Sequence, residues 1–184
     1  MRIFRSWPAV VPADRSYVVD DIEKLVITNF KYNDLYDIDD DVLLLEWDIA
    51  VDGVELARFV DHANEDRSRV IVAPYRLYGL DGHGYYLPHL WAHTRVLDAD
   101  ADPWKTRPVD DNEPTCDLFG LGMTYLPKVL TSRFSRDYIG RFSDDRFSRW
   151  HLRHADHPEV PICWDVHAVH LHYTQNHVLG ALIG

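Results

Sequence analysis

Two cysteines in 184 residues, Cys116 and Cys163, leave no disulfide framework and no zinc-ligand spacing. A reducing, cytoplasmic setting is the expectation. No apolar run approaches the roughly 20 residues of a membrane span. The opening Met1-Arg2-Ile3-Phe4-Arg5-Ser6-Trp7-Pro8 lacks the pattern of a secretion signal. Positive charge is also scarce: 19 Lys and Arg against 30 Asp and Glu give a net charge of −11, which disfavours a long phosphate backbone as partner. Arg133, Arg136, Arg141, Arg146, Arg149 and Arg153 do cluster, but Asp137, Asp144 and Asp145 interleave with them, as on a solvated mixed-charge face. There is no repeat at periods of 20 to 50 residues. There is no Gly-x-Gly-x-x-Gly, no phosphate-loop lysine and no nucleophile-elbow serine.

The chain has enough apolar residues, 46% with six Trp, to fill the core of one domain spanning 1–184. Ile3 to Val11, broken by Pro8 and Pro12, reads as a short edge strand or a loop. Leu25 to Phe30 and Arg69 to Pro74 read as strands. Residues 53–66 place Val54, Leu56, Phe59, Val60 and Ala63 at amphipathic helix spacing. With the apolar run Val42 to Leu45 this makes strand, helix, strand in about 30 residues, and a parallel pair is expected. Residues 79–115, punctuated by Gly79, Gly82, Gly84, Pro88, Pro103, Pro108 and Pro114, read as a long irregular aromatic segment. Cys116 to Met123 reads as a strand and a glycine turn. Short helices are expected from Pro127 and over Asp145 to Trp150. Late strands are expected at Val160 to Trp164 and Ala168 to Tyr173.

Chemistry concentrates in two places. Val42-Leu43-Leu44-Leu45 runs directly into Glu46-Trp47-Asp48. Charges are costly to bury without a partner, and acid-x-acid spacing on an extended chain turns both carboxylates to one face. A hard divalent ion, Mg²⁺ or Mn²⁺, is the natural partner. In open α/β sheets, ligands bind beyond the carboxyl ends of the strands, where these acids stand. The second place is the tail, which holds seven of eleven histidines between His151 and His177. In a strand over 168–173, His170 and His172 share a face, and imidazole is a frequent metal ligand. His151, His154 and His157 lie in a polar stretch and read as surface residues. Three shorter matches fail. His-x-His without a following Glu does not make a cupin site. His154-Ala155-Asp156 needs a distant third histidine to complete an iron triad, and only 28 residues follow it. Gly120-Leu121-Gly122 alone specifies nothing.

Taken in order, the apolar strand, acid-x-acid, βαβ unit, glycine turn, acid pair before a helix and late histidine strand resemble the GT-A class of nucleotide-sugar glycosyltransferases, in a short phage-like or bacterial form. The resemblance covers roughly residues 22 to 175. It implies a Rossmann-like α/β domain with a mixed, mainly parallel sheet. Glu46-Trp47-Asp48 resembles the Asp-x-Asp that holds metal and donor, with Glu in first place. His170 and His172 resemble the late histidine that completes the metal shell. Asp144-Asp145 resembles the acidic pair that supplies the base of inverting members, with Asp145 first, Asp144 next and Asp117 third. Gly120 and Gly122 resemble the turn beneath the acceptor. Trp91 and Trp150 are the expected sugar-contacting tryptophans, with Trp91 and Trp104 equally readable as loop anchors. The implied reaction moves a sugar from a UDP- or GDP-linked donor to an unspecified acceptor, with Mn²⁺ or Mg²⁺ as Lewis acid. The 79–104 segment would be an acceptor lid. Two other classes fit the same residues: a metal-dependent hydrolase, and a non-enzymatic acidic binding module.

Overall fold

A computed structural model describes residues 1–8, 22–27, 35, 37–80, 86–98, 102–137 and 144–170. The strands are β1 (Arg2–Pro8), β2 (Glu23–Ile27), β3 (Val42–Leu45), β4 (Ile49–Ala50), β5 (Ile71–Val72), β6 (Arg76–Leu80), β7 (Tyr86–Trp91), β8 (Thr94–Asp98), β9 (Asp102–Pro108), β10 (Thr115–Cys116), β11 (Met123–Leu126), β12 (Val160–Pro161) and β13 (Val169–His170). The helices are α1 (Gly53–Glu65), α2 (Lys128–Asp137) and α3 (Asp144–His154). Among the described residues, no helix is long and apolar enough to cross a membrane.

The main sheet runs β2-β1-β3-β11-β5. β1 pairs in parallel with β2 and β3, while β11 is antiparallel to both β3 and β5. The mixed α/β class is as expected, with two corrections. β1 lies inside the sheet, not at its edge. β3 and β5 run in the same sense, as a strand-helix-strand unit requires, but β11 is inserted between them, so they are not a hydrogen-bonded pair.

Every residue of β3 is buried, and alternation sends its side chains to two different cores. Val42 and Leu44 join Phe4, Leu25, Leu126, Leu130, Phe134, Phe147 and Trp150, the side covered by α2 and α3. Leu43 and Leu45 join Leu56, Phe59, Ala63, Met123 and Tyr125, the side covered by α1. The result is three layers, helix on sheet on helix. Asp52 caps α1 by accepting from the amides of Val54 and Glu55, both at 2.9 Å. Val54, expected on the apolar face, is 68% exposed and belongs to the solvent side of the first turn.

The supposedly irregular 79–115 segment is largely two antiparallel hairpins, β6 with β7 and β8 with β9. Of the Gly and Pro residues that suggested a loop, Gly79, Pro88, Pro103 and Pro108 lie within these strands, Gly82 and Gly84 lie outside the described residues, and each pairing shifts register once. At the foot of this region Arg95 binds Glu113 at 2.6 Å and Asp117 at 2.9 Å, both ion pairs mostly shielded from solvent. Burial raises the Glu113 carboxyl, but the bonds from Arg95, the Asp110 amide and Arg107 outweigh it and bring it down to about 2.

Candidate functional site

After Leu45 the chain does not stay extended. The Ile49 amide donates to the Glu46 carbonyl at 3.1 Å, closing a tight turn that carries the chain into β4. The acid pair therefore sits on a turn, which corrects the expectation of one extended face. Two contacts fix this turn. The Glu46 amide donates to the Gly122 carbonyl at 2.7 Å. From β1, the Arg5 guanidinium donates through Nη1 to the carbonyls of Glu46, 3.1 Å, and Ile49, 2.8 Å. Arg5 is 1% exposed, and its Nε and Nη2 find no partner among the described residues. Burial lowers its pKa, and the nearby Asp48 carboxylate opposes that effect.

β13 pairs antiparallel with β4, placing His170 opposite Ile49. The imidazole of His170 thereby faces Asp48, with Nε2 and Oδ2 3.3 Å apart. Burial works to lower the His170 pKa, but the Asp48 hydrogen bond and charge, with Glu46 behind them, raise it above the ordinary value. Asp48 Oδ1 and His170 Nδ1 are buried and have no partner among the described residues. The strand-end carboxylate and the late histidine, both expected as ligands, are thus brought together. His172 lies outside the described residues.

Beside this pair is a cleft of about 300 Å³. Glu46 and His170 line one side; Thr94, Thr106, Ser148 and Arg149 supply polar groups elsewhere; Tyr75, Leu118, Phe119 and Gly120 are also in the wall. Ser148 is fixed by the Phe119 amide, which donates to its Oγ at 2.9 Å. Tyr75 stacks on His170 with ring centres 5.8 Å apart and planes at 20°. Its hydroxyl accepts from the Gly122 amide at 3.2 Å.

The other expected site residues are distributed as follows. Gly120 lines the cleft, and Gly122 lies directly behind it against Tyr75. Asp144 and Asp145 form the first turn of α3, the helix that brings Ser148 and Arg149 to the cleft; their side chains are outside the described set. Asp117 does not fit a base: Oδ1 takes Arg95, and Oδ2 takes the Val96 amide at 2.9 Å. Trp150 is a correction. It is 6% exposed, packs between Phe134 and Phe147, and donates to Asp137 at 3.1 Å, so it offers no face to a sugar. Trp91 is an anchor, bonded to Asp111 at 2.7 Å and set edge-on against Trp164 at 4.9 Å. Trp47 is half-buried within the turn. The side chain of Trp104 is outside the described set. His151, expected at the surface, is 1% exposed, and burial pushes its pKa down to about 4.

Arg5 and Tyr75 were not singled out by sequence reasoning. The one signal for Arg5 is a cation inside the apolar Ile3-Phe4-Arg5-Ser6-Trp7, a pattern that a parallel inner strand tolerates only with partners. Tyr75 follows Pro74 at a strand end and carries no signal of its own.

A scan of protein-family models finds no match, and no curated protein matches the chain. Among solved structures the fold is similar to that of A197 from STIV, with a TM-score of 0.52 and 15% identity over 94% of this chain and 86% of that one. At that identity the likeness is one of fold.

Proposed function

We propose that this protein is a metal-dependent glycosyltransferase of GT-A type, moving a sugar from a nucleotide-diphosphate sugar to an acceptor hydroxyl. The observation that carries the reading is the meeting of Asp48 and His170 beside a cleft at the carboxyl end of β3. The pair offers one carboxylate oxygen, the donor a hard divalent ion takes, and one imidazole nitrogen; His170 Nε2 and Asp48 Oδ2 lie 3.3 Å apart, and among the described residues Asp48 Oδ1 and His170 Nδ1 are buried without a hydrogen-bond partner. No group of three or more His, Cys, Asp or Glu suited to a metal occurs among the described residues.

When bound, such an ion supplies Lewis-acid neutralisation of the leaving diphosphate. The remaining work falls to the chain. Asp48 and His170 hold the ion, and Arg5 and Gly122 hold the turn that presents Asp48. Thr94, Thr106, Ser148 and Arg149 offer groups to orient sugar hydroxyls. Asp145 stands one helical turn before Arg149 and is assigned the base. The acceptor oxygen bonds to the anomeric carbon, the bond from that carbon to the diphosphate oxygen breaks with its electron pair, and the acceptor proton passes to the Asp145 carboxylate.

Asp145→Asn is expected to lower turnover by about 10²–10⁴ with donor affinity retained, because a base acts in the transition state. Turnover within about tenfold of wild type would remove Asp145 from the role. The anomeric configuration of the product, read by NMR, would then identify a retaining reaction, which needs no such base.

A further inference from the structure

The buried ring of Tyr75 touches three separate parts of the site. One face stacks on His170. An edge contact at 5.4 Å and 83° joins it to His93, which is fully buried and bonded through Nε2 to the Ala73 carbonyl at 2.9 Å. The hydroxyl holds the Gly122 amide, and the Gly122 carbonyl in turn holds the Glu46 amide. The glycine turn is shaped around this ring. A Cβ on Gly120 would overlap the Tyr75 hydroxyl, and one on Gly122 would lie 2.5 Å from ring atoms Cε1 and Cζ. Among the described residues, the Asp48 pairing and a two-residue strand also hold the His170 ring. An imidazole with so short a backbone support needs packing to fix its ring plane.

We propose that Tyr75 is the positioning residue of this site, its ring fixing the plane of His170 and its hydroxyl fixing the glycine turn that carries Glu46. Only the functional consequence rests on the glycosyltransferase reading; the positioning itself is a property of the free protein. Two substitutions separate the two halves. Tyr75→Phe keeps the ring and removes the hydroxyl. Tyr75→Leu removes the ring as well.

The test uses the full chain with uniform ¹⁵N labelling and no ligand, with the His170 Nε2 proton assigned through His170→Gln. In Tyr75→Leu this proton should exchange with water about tenfold faster or more, the loss expected when one hydrogen bond's worth of order is removed. Main-chain amide shifts away from the site should be unchanged and melting should stay cooperative. In Tyr75→Phe the His170 proton should be unaltered, while the Gly122 amide exchanges about tenfold faster or more. Calorimetry of UDP and GDP with Mn²⁺ then reads the consequence: affinity should fall about tenfold or more in Tyr75→Leu, the variant that loses the ring as well as the hydroxyl.

An unchanged His170 proton in a folded Tyr75→Leu overturns the ring's role. An unchanged Gly122 amide in Tyr75→Phe overturns the hydroxyl's role, and that arm stands even where Tyr75→Leu fails to fold. Shifted signals in a protein whose wild type binds neither nucleotide would uphold the positioning and overturn the transferase reading.

Discussion

The side chain missing at Gly122 matters as much as those present. Tyr75 occupies the place of its Cβ, so Gly122→Ala must displace the ring, the glycine turn or both. Overpacking of this kind costs about 1–3 kcal/mol, and chemical denaturation should report an unfolding free energy lower by that amount. A variant as stable as wild type would mean that Tyr75 can move freely and that the close approach has no structural role. Asp48 and His170 were legible in the sequence because each breaks a local rule: an acid ending a buried strand, and a histidine repeated along one strand face. Arg5 and Tyr75 were not, because their partners are main-chain groups of remote segments. A buried arginine bonded to carbonyls and a tyrosine bonded to an amide leave no complementary residue to search for. Trp150 shows the converse. A tryptophan after an acidic helix start has the same sequence signature whether it faces a sugar or, as here, the Phe134–Phe147 core.

The elements divide by how local their signals are. The extent of α1 was readable, since its period lies within one stretch of chain, whereas its Asp52 cap was not singled out and Val54 turned out to face solvent. Asp52→Ala should cost about 1 kcal/mol and lower the melting temperature by about 2–4 °C for a chain of this size. Nucleotide affinity should not change, because the cap lies outside the cleft; a loss of binding would instead tie α1 to ligand contact. The position of β11 between β3 and β5 was not readable. Its pairing with β3 joins residues far apart in sequence, and only the shared need to bury both strand faces selects it. The two hairpins of residues 76–108 were misread as loop because Pro and Gly mark turns and edge strands as readily as irregular chain. With that correction the described part of the expected lid, 79–104, is largely β-strand, and Ala92 and Thr94 from it line the cleft directly.

For the whole molecule, two buried histidines set the acid side of stability. Burial pushes His93 and His151 from 6.5 down to about 4, with Arg69 adding to the effect on His151. Between those values the unfolded chain takes up protons that the folded chain refuses, so stability falls as pH drops below 6.5. The loss is about 2 kcal/mol per histidine by pH 5. Glu113 does not act in this window, because its contribution is lost progressively as pH falls from 4.5 to about 2. The raised pKa of His170 gives a contribution fully present below 6.5 and lost as pH rises through its folded value, so it leaves the acid-side slope unaltered. Urea midpoints at pH 6.5 and 5 should show the fall, and His151→Leu should reduce it by about half; a flat profile would contradict the burial of both rings. The central claim, that Asp48 holds a divalent ion together with a nucleotide diphosphate, is tested most directly by calorimetric titration of UDP and GDP with and without Mn²⁺ into wild type and Asp48→Asn. Saturable binding of one nucleotide is expected only when Mn²⁺ is present, stabilising the fold by about 2.7 kcal/mol at a hundredfold excess over Kd, with that binding lost in Asp48→Asn. Equal affinity with and without Mn²⁺, or in both proteins, would contradict it.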